Sequence, residues 1–311
     1  MNTEKDPTWL RQPGYNKNIQ PPSFLLMGPP GTGKTYAIPT MMLAGIDVFV
    51  IGTEPNFVDT LLDSVRAQNA PIERLHYHSL VAMAPSWKAQ LDIAHKVNNM
   101  SYADLADLKS GVGKTEMKGW TDLLNTCINF KDDRTGKEYG DVTEWGPDRC
   151  LVIDSLSGMN QMAREYVSGY KPNLHPGEWG IAMELERNLI YMLCANRHGY
   201  FVLISHIDRS IDELTQTQRI TVSALGNKLG PKIPQFFSEV ILAKREGDKF
   251  LWSTKELNVD VKNRALPIRN DLPPSFVSSV EVFKRRLHQL EIAAREDAEA
   301  AAAAVTGGAP S

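Results

Sequence analysis

Four short apolar runs recur along the chain, and each is followed by a glycine or a polar residue. Runs of this length without polar alternation are typical of strands buried on both faces, as in parallel sheets. Helical spacing of apolar residues between the runs predicts helices over 34–44, 56–68, 87–97 and 180–196. The alternation predicts a doubly wound α/β fold with a mainly parallel sheet. The four runs are SFLLMG (23–28), DVFVIGTE (47–54), CLVIDS (150–155) and YFVLIS (200–205).

The remaining segments divide the chain into a core and two flanking parts. Residues 1–22 are polar and end in two prolines, which predicts an extended lead-in. The core spans 23–276, and its looser stretch at 98–147 is interpreted as an insertion with a helix near 120–130. Three segments near the end of the core predict antiparallel strands: FFSEVILAKREG (236–247), KFLWSTKE (249–256) and LNVDVKNRALPI (257–268). Residues 277–311 predict a charged helix and then an alanine-rich acidic tail that is either frayed and disordered, because it has no apolar face to bury, or helical, because alanine favours helix.

Composition excludes some classes of protein and leaves others open. The 311 residues carry 34 basic and 37 acidic side chains, so any binding of nucleic acid depends on a local basic surface rather than on net charge. The three cysteines lack the paired spacing of a zinc site or a disulfide framework. No run approaches the ~20 apolar residues of a membrane span, and the first residues lack the apolar region of a signal peptide. We therefore expect a cytoplasmic protein without a membrane partner.

The segment GPPGTGKT matches the phosphate-binding pattern GxxxxGK[ST] and stands between a predicted strand and a predicted helix. In this context backbone amides surround a phosphate, Lys34 reaches the terminal phosphates and Thr35 ligates Mg²⁺. We therefore predict that ATP and Mg²⁺ are the cofactors. The expected nucleotide-binding residues are Gly28, Pro29, Pro30, Gly31, Thr32, Gly33, Lys34, Thr35 and Tyr36.

A nucleoside triphosphatase of this kind also needs a carboxylate for the metal and a group that positions water. Asp154 closes an apolar strand and is the expected second Mg²⁺ residue beside Thr35. Ser155 follows it, where AAA+ ATPases place a glutamate, so the base must come from another strand. Glu54 ends the strand that follows the phosphate loop, and the ends of parallel strands share one edge of the sheet. We therefore predict Glu54 as the catalytic base beside Lys34.

The chain has a phosphate loop, then a strand ending in glutamate, then a strand ending in Asp-Ser, and then a strand ending in a polar pair. This order of elements resembles the RecA/RadA recombinase core over residues 23–245. Four longer strings are similar to the phage-encoded minimal RecA-core ATPases of the Sak group, which act in single-strand annealing and recombination. The strings are VIDSLSGM (152–159), EWG (178–180), LISHID (203–208) and LGNKLGPKIPQFFSEV (225–240). The resemblance implies an ATPase that assembles as a ring or filament on single-stranded DNA, in the host cytoplasm if the protein is phage-encoded.

The resemblance also implies roles for residues beyond the phosphate loop. His206 stands where the family more often has a glutamine that contacts the γ-phosphate. The segment after it (208–228) occupies the position of the second DNA-binding loop, and the segment after Asp154 (155–180) occupies the position of the first. A metal site at His206, with Asp208 or His198, is the alternative, although the spacing of a third ligand is missing. Lys228 and Lys232 lie where such proteins present lysines to the ATP of a neighbouring subunit. The candidate DNA-contacting residues are Arg164, Tyr166, Tyr170, Lys171, Arg209 and Arg219.

Two other classes of protein remain open on the sequence alone. One is a AAA+-like remodelling or DNA-packaging ATPase, and the other is a nucleotide-gated binding module with little turnover. The acidic C-terminal tail is a possible contact for a single-strand-binding or replication protein.

Overall fold

The computed structural model describes residues 20–81, 87–101, 117–169, 174–211 and 218–306. Tyr170, Lys171 and most of the predicted lead-in lie outside these ranges, as do residues 102–116 of the predicted insertion. Within the described residues, no helix combines the length and apolar character needed to cross a membrane.

A mixed, mainly parallel seven-stranded sheet forms the centre of an α/β fold. Its order is β3-β2-β4-β5-β1-β8-β9, and all neighbours are parallel except β8 and β9, which form an antiparallel hairpin. The four predicted buried strands are confirmed as β1, β2, β4 and β5. The strands are β1 (Ser23–Met27), β2 (Asp47–Gly52), β3 (Leu75–Ser79), β4 (Arg149–Asp154), β5 (Tyr200–Ser205), β8 (Glu239–Glu246) and β9 (Lys249–Ser253).

Helices cover both faces of the sheet and bury two separate apolar clusters. One face packs against α1 (Pro39–Leu43), α2 (Phe57–Ala67) and the first part of α8 (Val277–Thr306). The other face packs against α4 (Gly119–Ile128), α5 (Leu156–Ser168) and α6 (Pro176–Ala195). In the described part of the chain the other α-helices are α3 (Trp87–Asn98) and the short α7 (Gly226–Leu229), which leads into a 3-10 helix (Gly230–Phe236).

The register of the parallel strands places their carboxyl ends at one edge. Gly52 pairs with Asp154, Asp154 pairs with Ile204, and Met27 pairs with Ser205. Residues that follow β1, β2, β4 and β5 therefore meet at this edge, although up to 178 positions separate Met27 from Ser205 in the chain. Open α/β folds bind ligands at the carboxyl ends of their strands.

Strand β3 was missed by the sequence prediction because two histidines interrupt its apolar pattern. His76 is buried, and its Nδ1 lies 3.1 Å from Asp132 Oδ2. The Asp132 carboxylate also accepts from Tyr77 N at 3.2 Å. Residues near 132 thus pack against β3 and supply the polar partner that allows a histidine inside the sheet.

The helix predicted at 34–44 is divided in two. A 3-10 helix covers Thr35–Ala37, and α1 begins at Pro39. Pro39 has no amide hydrogen to continue the earlier turn, but it is well suited to the first position of a new helix.

Two segments expected to be irregular loops have regular structure. The segment after β5 forms an antiparallel hairpin, β6 (Ile207–Ile211) and β7 (Gln218–Val222). Residues 156–168 form α5, because Ser155 caps the helix and apolar side chains recur at helical spacing on its buried face. Arg164 and Tyr166 therefore lie on a helix rather than on the predicted DNA loop.

One prediction for the C-terminal part of the chain was wrong. Residues 257–268 contain no strand, and this segment pairs only through single bridges such as Val240 with Lys262. Of the two alternatives predicted for the alanine-rich tail, the structure has the helical one through Thr306, in accord with the high helix propensity of alanine.

Candidate functional site

The loop 28–35 follows β1 at the carboxyl edge of the sheet and depends on its glycines. Gly28 N donates to Ser205 O at 3.1 Å, and a Cβ at Gly28 would lie 2.5 Å from Ala243 O. Gly31 and Gly33 have φ angles of 73° and 77°, in the region that side chains disfavour. The loop can therefore curve closely over the strand ends only with glycine at these positions.

We expect Gly33→Ala to destabilise the protein more than Gly31→Ala. Both substitutions place a side chain on a residue with positive φ, and this strain costs on the order of 1 kcal/mol of unfolding free energy. A Cβ at Gly33 would also lie 2.5 Å from the Phe250 ring. A Cβ at Gly31 would have no heavy atom of the described residues within 4 Å. Urea unfolding of the two variants measures the difference, and equal destabilisation would contradict the contact between Phe250 and the loop.

Lys34 is buried and turned back onto its own loop. Its Nζ donates to the carbonyl oxygens of Gly28 and Pro29, both at 2.8 Å. Burial lowers the pKa of Lys34, while the nearby carboxylates of Asp154 and Glu54 oppose this shift. The ammonium group is therefore held beside the loop, close to two acidic side chains.

Thr35 and Asp154, the two residues predicted to hold Mg²⁺, lie in contact at the base of the loop. Thr35 Oγ1 donates to Asp154 Oδ2 at 2.8 Å, joining the last residue of the loop to the end of β4. Burial raises the pKa of Asp154 to about 6, and Glu54 adds to the shift, whereas Thr35 and Lys34 oppose it. Asp154 is therefore mostly ionised at neutral pH and becomes protonated in mild acid.

Glu54 is connected to Asp154 through Ser155, the next residue in the chain. Ser155 Oγ donates to Glu54 Oε1, and His206 Nε2 lies 3.5 Å from that oxygen. His206 Nδ1 is buried without a hydrogen-bond partner among the described residues. The ends of β2, β4 and β5 thus bring one carboxylate, one hydroxyl and one imidazole together.

Thr53 fixes the relation between β2 and β4 at this point. Its Oγ1 donates to Ser155 O at 2.9 Å and accepts from Ser155 N at 2.8 Å, while Thr53 N donates to Asp154 O at 2.8 Å. The sequence analysis did not identify Thr53, and it treated Ser155 only as a departure from the AAA+ pattern. A hydroxyl residue beside each strand-end acid was the signal available in the sequence.

An open cleft of about 600 Å³ contains all three predicted catalytic residues. It is bounded by the loop, by α2 and by the β8–β9 hairpin, and its lining includes Lys34, Glu54 and His206. Most of the predicted nucleotide-binding residues, from Pro30 to Tyr36, also line it. The lining residues that sequence reasoning missed, besides Ser155 and Ile204, are Thr60, Asp63, Ser64, Ala67, Arg245 and Phe250.

The predicted DNA-contacting and trans-acting residues that the structure describes lie outside this cleft. Arg209 and Arg219 are exposed on the two strands of the β6–β7 hairpin, and Arg219 forms an ion pair with Asp260 at 2.9 Å. Lys228 is exposed on α7, and Lys232 is exposed on the following 3-10 helix.

The donors at the cleft fit a metal ion that is shared with a ligand. Among the described residues there is no cluster of three or more histidine, cysteine or acidic side chains that could hold a metal ion. Mg²⁺ bound with a phosphate ligand needs only one or two protein carboxylates and keeps several waters. Asp154 Oδ2 and Thr35 Oγ1, 2.8 Å apart, are the oxygens suited to that role.

Comparison with known proteins does not identify a family. No protein-family model matches the chain. No curated protein matches it at a significant level. The structure itself shows an α/β fold with a mainly parallel sheet. The assignment of function therefore depends on the residues of the site.

Proposed function

We propose that this protein binds ATP with Mg²⁺ and hydrolyses it, using a RecA-like core that assembles on single-stranded DNA. The observation that carries the proposal is the hydrogen bond between Thr35 and Asp154, within a cleft that also contains Lys34 and Glu54. This combination supports the proposal, because a cation, two oxygens suited to a metal ion and a second carboxylate lie around one glycine-rich loop. Phosphoryl transfer to water requires these elements.

Lys34 supplies positive charge to the phosphates in this proposal. Its two hydrogen bonds to loop carbonyls keep the ammonium group beside the loop before a ligand binds. On binding, Lys34 exchanges these neutral acceptors for phosphate oxygens, which form stronger charge-assisted bonds. The loop amides donate to the same phosphates.

Thr35 and Asp154 hold the metal in this proposal. The Thr35 hydroxyl and the ionised Asp154 carboxylate would be the protein's share of the metal ligands. Magnesium supplies charge neutralisation on the phosphate oxygens. Because burial raises the pKa of Asp154 to about 6, metal binding should weaken as the pH falls through that value.

Glu54 positions and deprotonates the attacking water in this proposal. Ser155 Oγ holds Glu54 Oε1, which restricts the orientation of the carboxylate within the cleft. His206 lies beside the same oxygen, at 3.5 Å from its Nε2. In this proposal His206 contacts the γ-phosphate. Loss of that phosphate on hydrolysis would therefore change the position of His206 relative to Glu54 and to the hairpin that follows β5.

Single-stranded DNA is the partner that we propose for the β6–β7 hairpin. The hairpin begins at the residue after His206, and Ser223 N, just beyond its end, donates to His206 O at 2.9 Å. Both ends of the hairpin are therefore anchored at His206. Arg209 and Arg219 on its strands can contact a DNA backbone. In an assembly, Lys228 and Lys232 would face a neighbouring subunit.

The test is the rate of ATP hydrolysis with Mg²⁺, measured with and without single-stranded DNA. We expect turnover that DNA stimulates, and we expect Lys34→Ala to abolish it because the phosphates lose their main cation. Turnover without a response to DNA would favour a remodelling or packaging ATPase. Absence of turnover despite ATP binding would favour a nucleotide-gated module. Failure to bind ATP would overturn the proposal.

A further inference from the structure

The proposed chemistry uses one end of the cleft and leaves the other end unexplained. Glu54, Asp154 and His206 follow β2, β4 and β5, on one side of β1 in the sheet. Arg245 and Phe250 belong to the β8–β9 hairpin on the other side of β1. Both groups line the same cleft. The loop 28–35 lies between them, at the end of β1.

Aromatic side chains are held at the hairpin end. The Phe250 ring packs directly over Gly33, and its centroid lies 5.4 Å from that of the Tyr36 ring, with the two planes tilted by 51°. Both rings are only partly buried. They therefore present aromatic surface to the cleft immediately beside the loop.

Arg245 adds a planar cation to this surface. Its guanidinium lies 5.8 Å from the centroid of the Phe250 ring, within the range of a cation–π contact. Its ion-pair distance to Asp248 is 3.8 Å, and Asp248 is fully exposed, so this pair holds the guanidinium only weakly. Its Nε also donates to Gly247 O at 3.0 Å, so the guanidinium stays on the hairpin beside Phe250, next to a flat ligand placed against that ring.

The α2 helix also lines the cleft, and its lining side chains are mostly polar rather than aromatic. Thr60, Asp63 and Ser64 present polar atoms, and Ala67 leaves room beside them. The α2 helix is joined to the loop region because Gln68 Nε2 donates to Tyr36 O. A ligand between the walls would meet ring faces on one side and hydrogen-bonding groups on the other.

We infer that the hairpin end of the cleft, formed by Tyr36, Phe250 and Arg245, binds the base of the nucleotide. This inference rests on the proposed function, since the reacting phosphate must lie at Glu54 and the base is at the opposite end of a nucleoside triphosphate. An aromatic base stacks on Phe250 and lies beside Arg245, while its polar edge faces α2. The ligand class is a nucleoside triphosphate rather than a simple polyphosphate.

The experiment compares the binding of MgATP with that of magnesium tripolyphosphate, which has the phosphates but no base. We expect the wild-type protein to bind ATP more tightly. Phe250→Leu should weaken ATP binding about tenfold, as the loss of one stacking contact does, and should change tripolyphosphate binding by less than about twofold. Arg245→Gln should weaken ATP binding about threefold. The matched control is Lys249→Gln, because Lys249 is exposed on the same hairpin and does not line the cleft.

Each other outcome overturns the inference in a recognisable way. Equal weakening of both ligands by Phe250→Leu would show that the ring supports the loop and does not contact a base. Unchanged ATP binding in both variants would exclude the hairpin as the base site. Equal binding of ATP and tripolyphosphate by the wild-type protein would exclude a base site altogether. If the wild-type protein binds neither ligand, the proposed function itself fails.

Discussion

Replacing Glu54 by glutamine is expected to lower the rate of ATP hydrolysis by a factor of about 10²–10⁴, the usual contribution of a positioned general base. Glutamine has nearly the same shape, and its amide oxygen can still accept from Ser155 Oγ, so the cleft should keep its structure. The amide cannot take a proton from water. The measurement is steady-state turnover at saturating MgATP, together with the ATP dissociation constant, which should change by only a few-fold.

Two comparisons make the Glu54 result decisive. Asp59→Asn removes an exposed carboxylate from α2, outside the cleft, and should leave turnover unchanged. Lys34→Ala should remove binding as well as turnover, unlike Glu54→Gln. If turnover survives Glu54→Gln while Lys34→Ala abolishes it, the base is another group, and His206 would be the first candidate because its Nε2 lies 3.5 Å from Glu54.

Replacing Glu186 by glutamine is expected to stabilise the protein, and more so as the pH rises. Glu186 lies on α6 with 0% exposure, and among the residues that the structure describes neither of its carboxylate oxygens has a hydrogen-bond partner of normal geometry. Burial raises the pKa of Glu186 from 4.5 to about 8, although the nearby Leu225 amide partly opposes the shift. Unfolding releases a proton at any pH between these values, so the stability of the wild-type protein falls as the pH rises from 4.5 to 8.

The size of the pKa shift of Glu186 sets the size of the expected change in stability with pH. Relative to Glu186→Gln, the wild-type protein should lose about 3 kcal/mol of unfolding free energy between about pH 5.5 and 8.5. Urea unfolding at several pH values measures it. The protonation of Asp154 is common to both proteins and cancels. Glu184→Gln is the matched control, since Glu184 is exposed on the same helix. Parallel stability curves for the wild-type protein and Glu186→Gln would show that Glu186 is not a buried neutral acid.

Local pattern was enough to predict the elements that depend on neighbouring residues. The four buried strands, α2 and α3 were predicted because their apolar spacing is regular. Prediction failed where tertiary partners decide the structure. Strand β3 contains a buried histidine whose acceptor, Asp132, lies 56 residues away. The β6–β7 hairpin was missed because its pairing is set by residues on opposite strands rather than by a clear period.

The candidate site divides in the same way. The sequence by itself determined the glycine-rich loop, Lys34, Thr35 and the acids at the ends of β2 and β4, because each is marked by its neighbours in the chain. Only the tertiary structure decided that Ser155 and His206 meet Glu54, and that Arg245 and Phe250 border the same cleft. The physical reason is strand order. Parallel strands align their ends at one edge, but hydrogen bonding between strands that are distant in sequence determines which ends become neighbours.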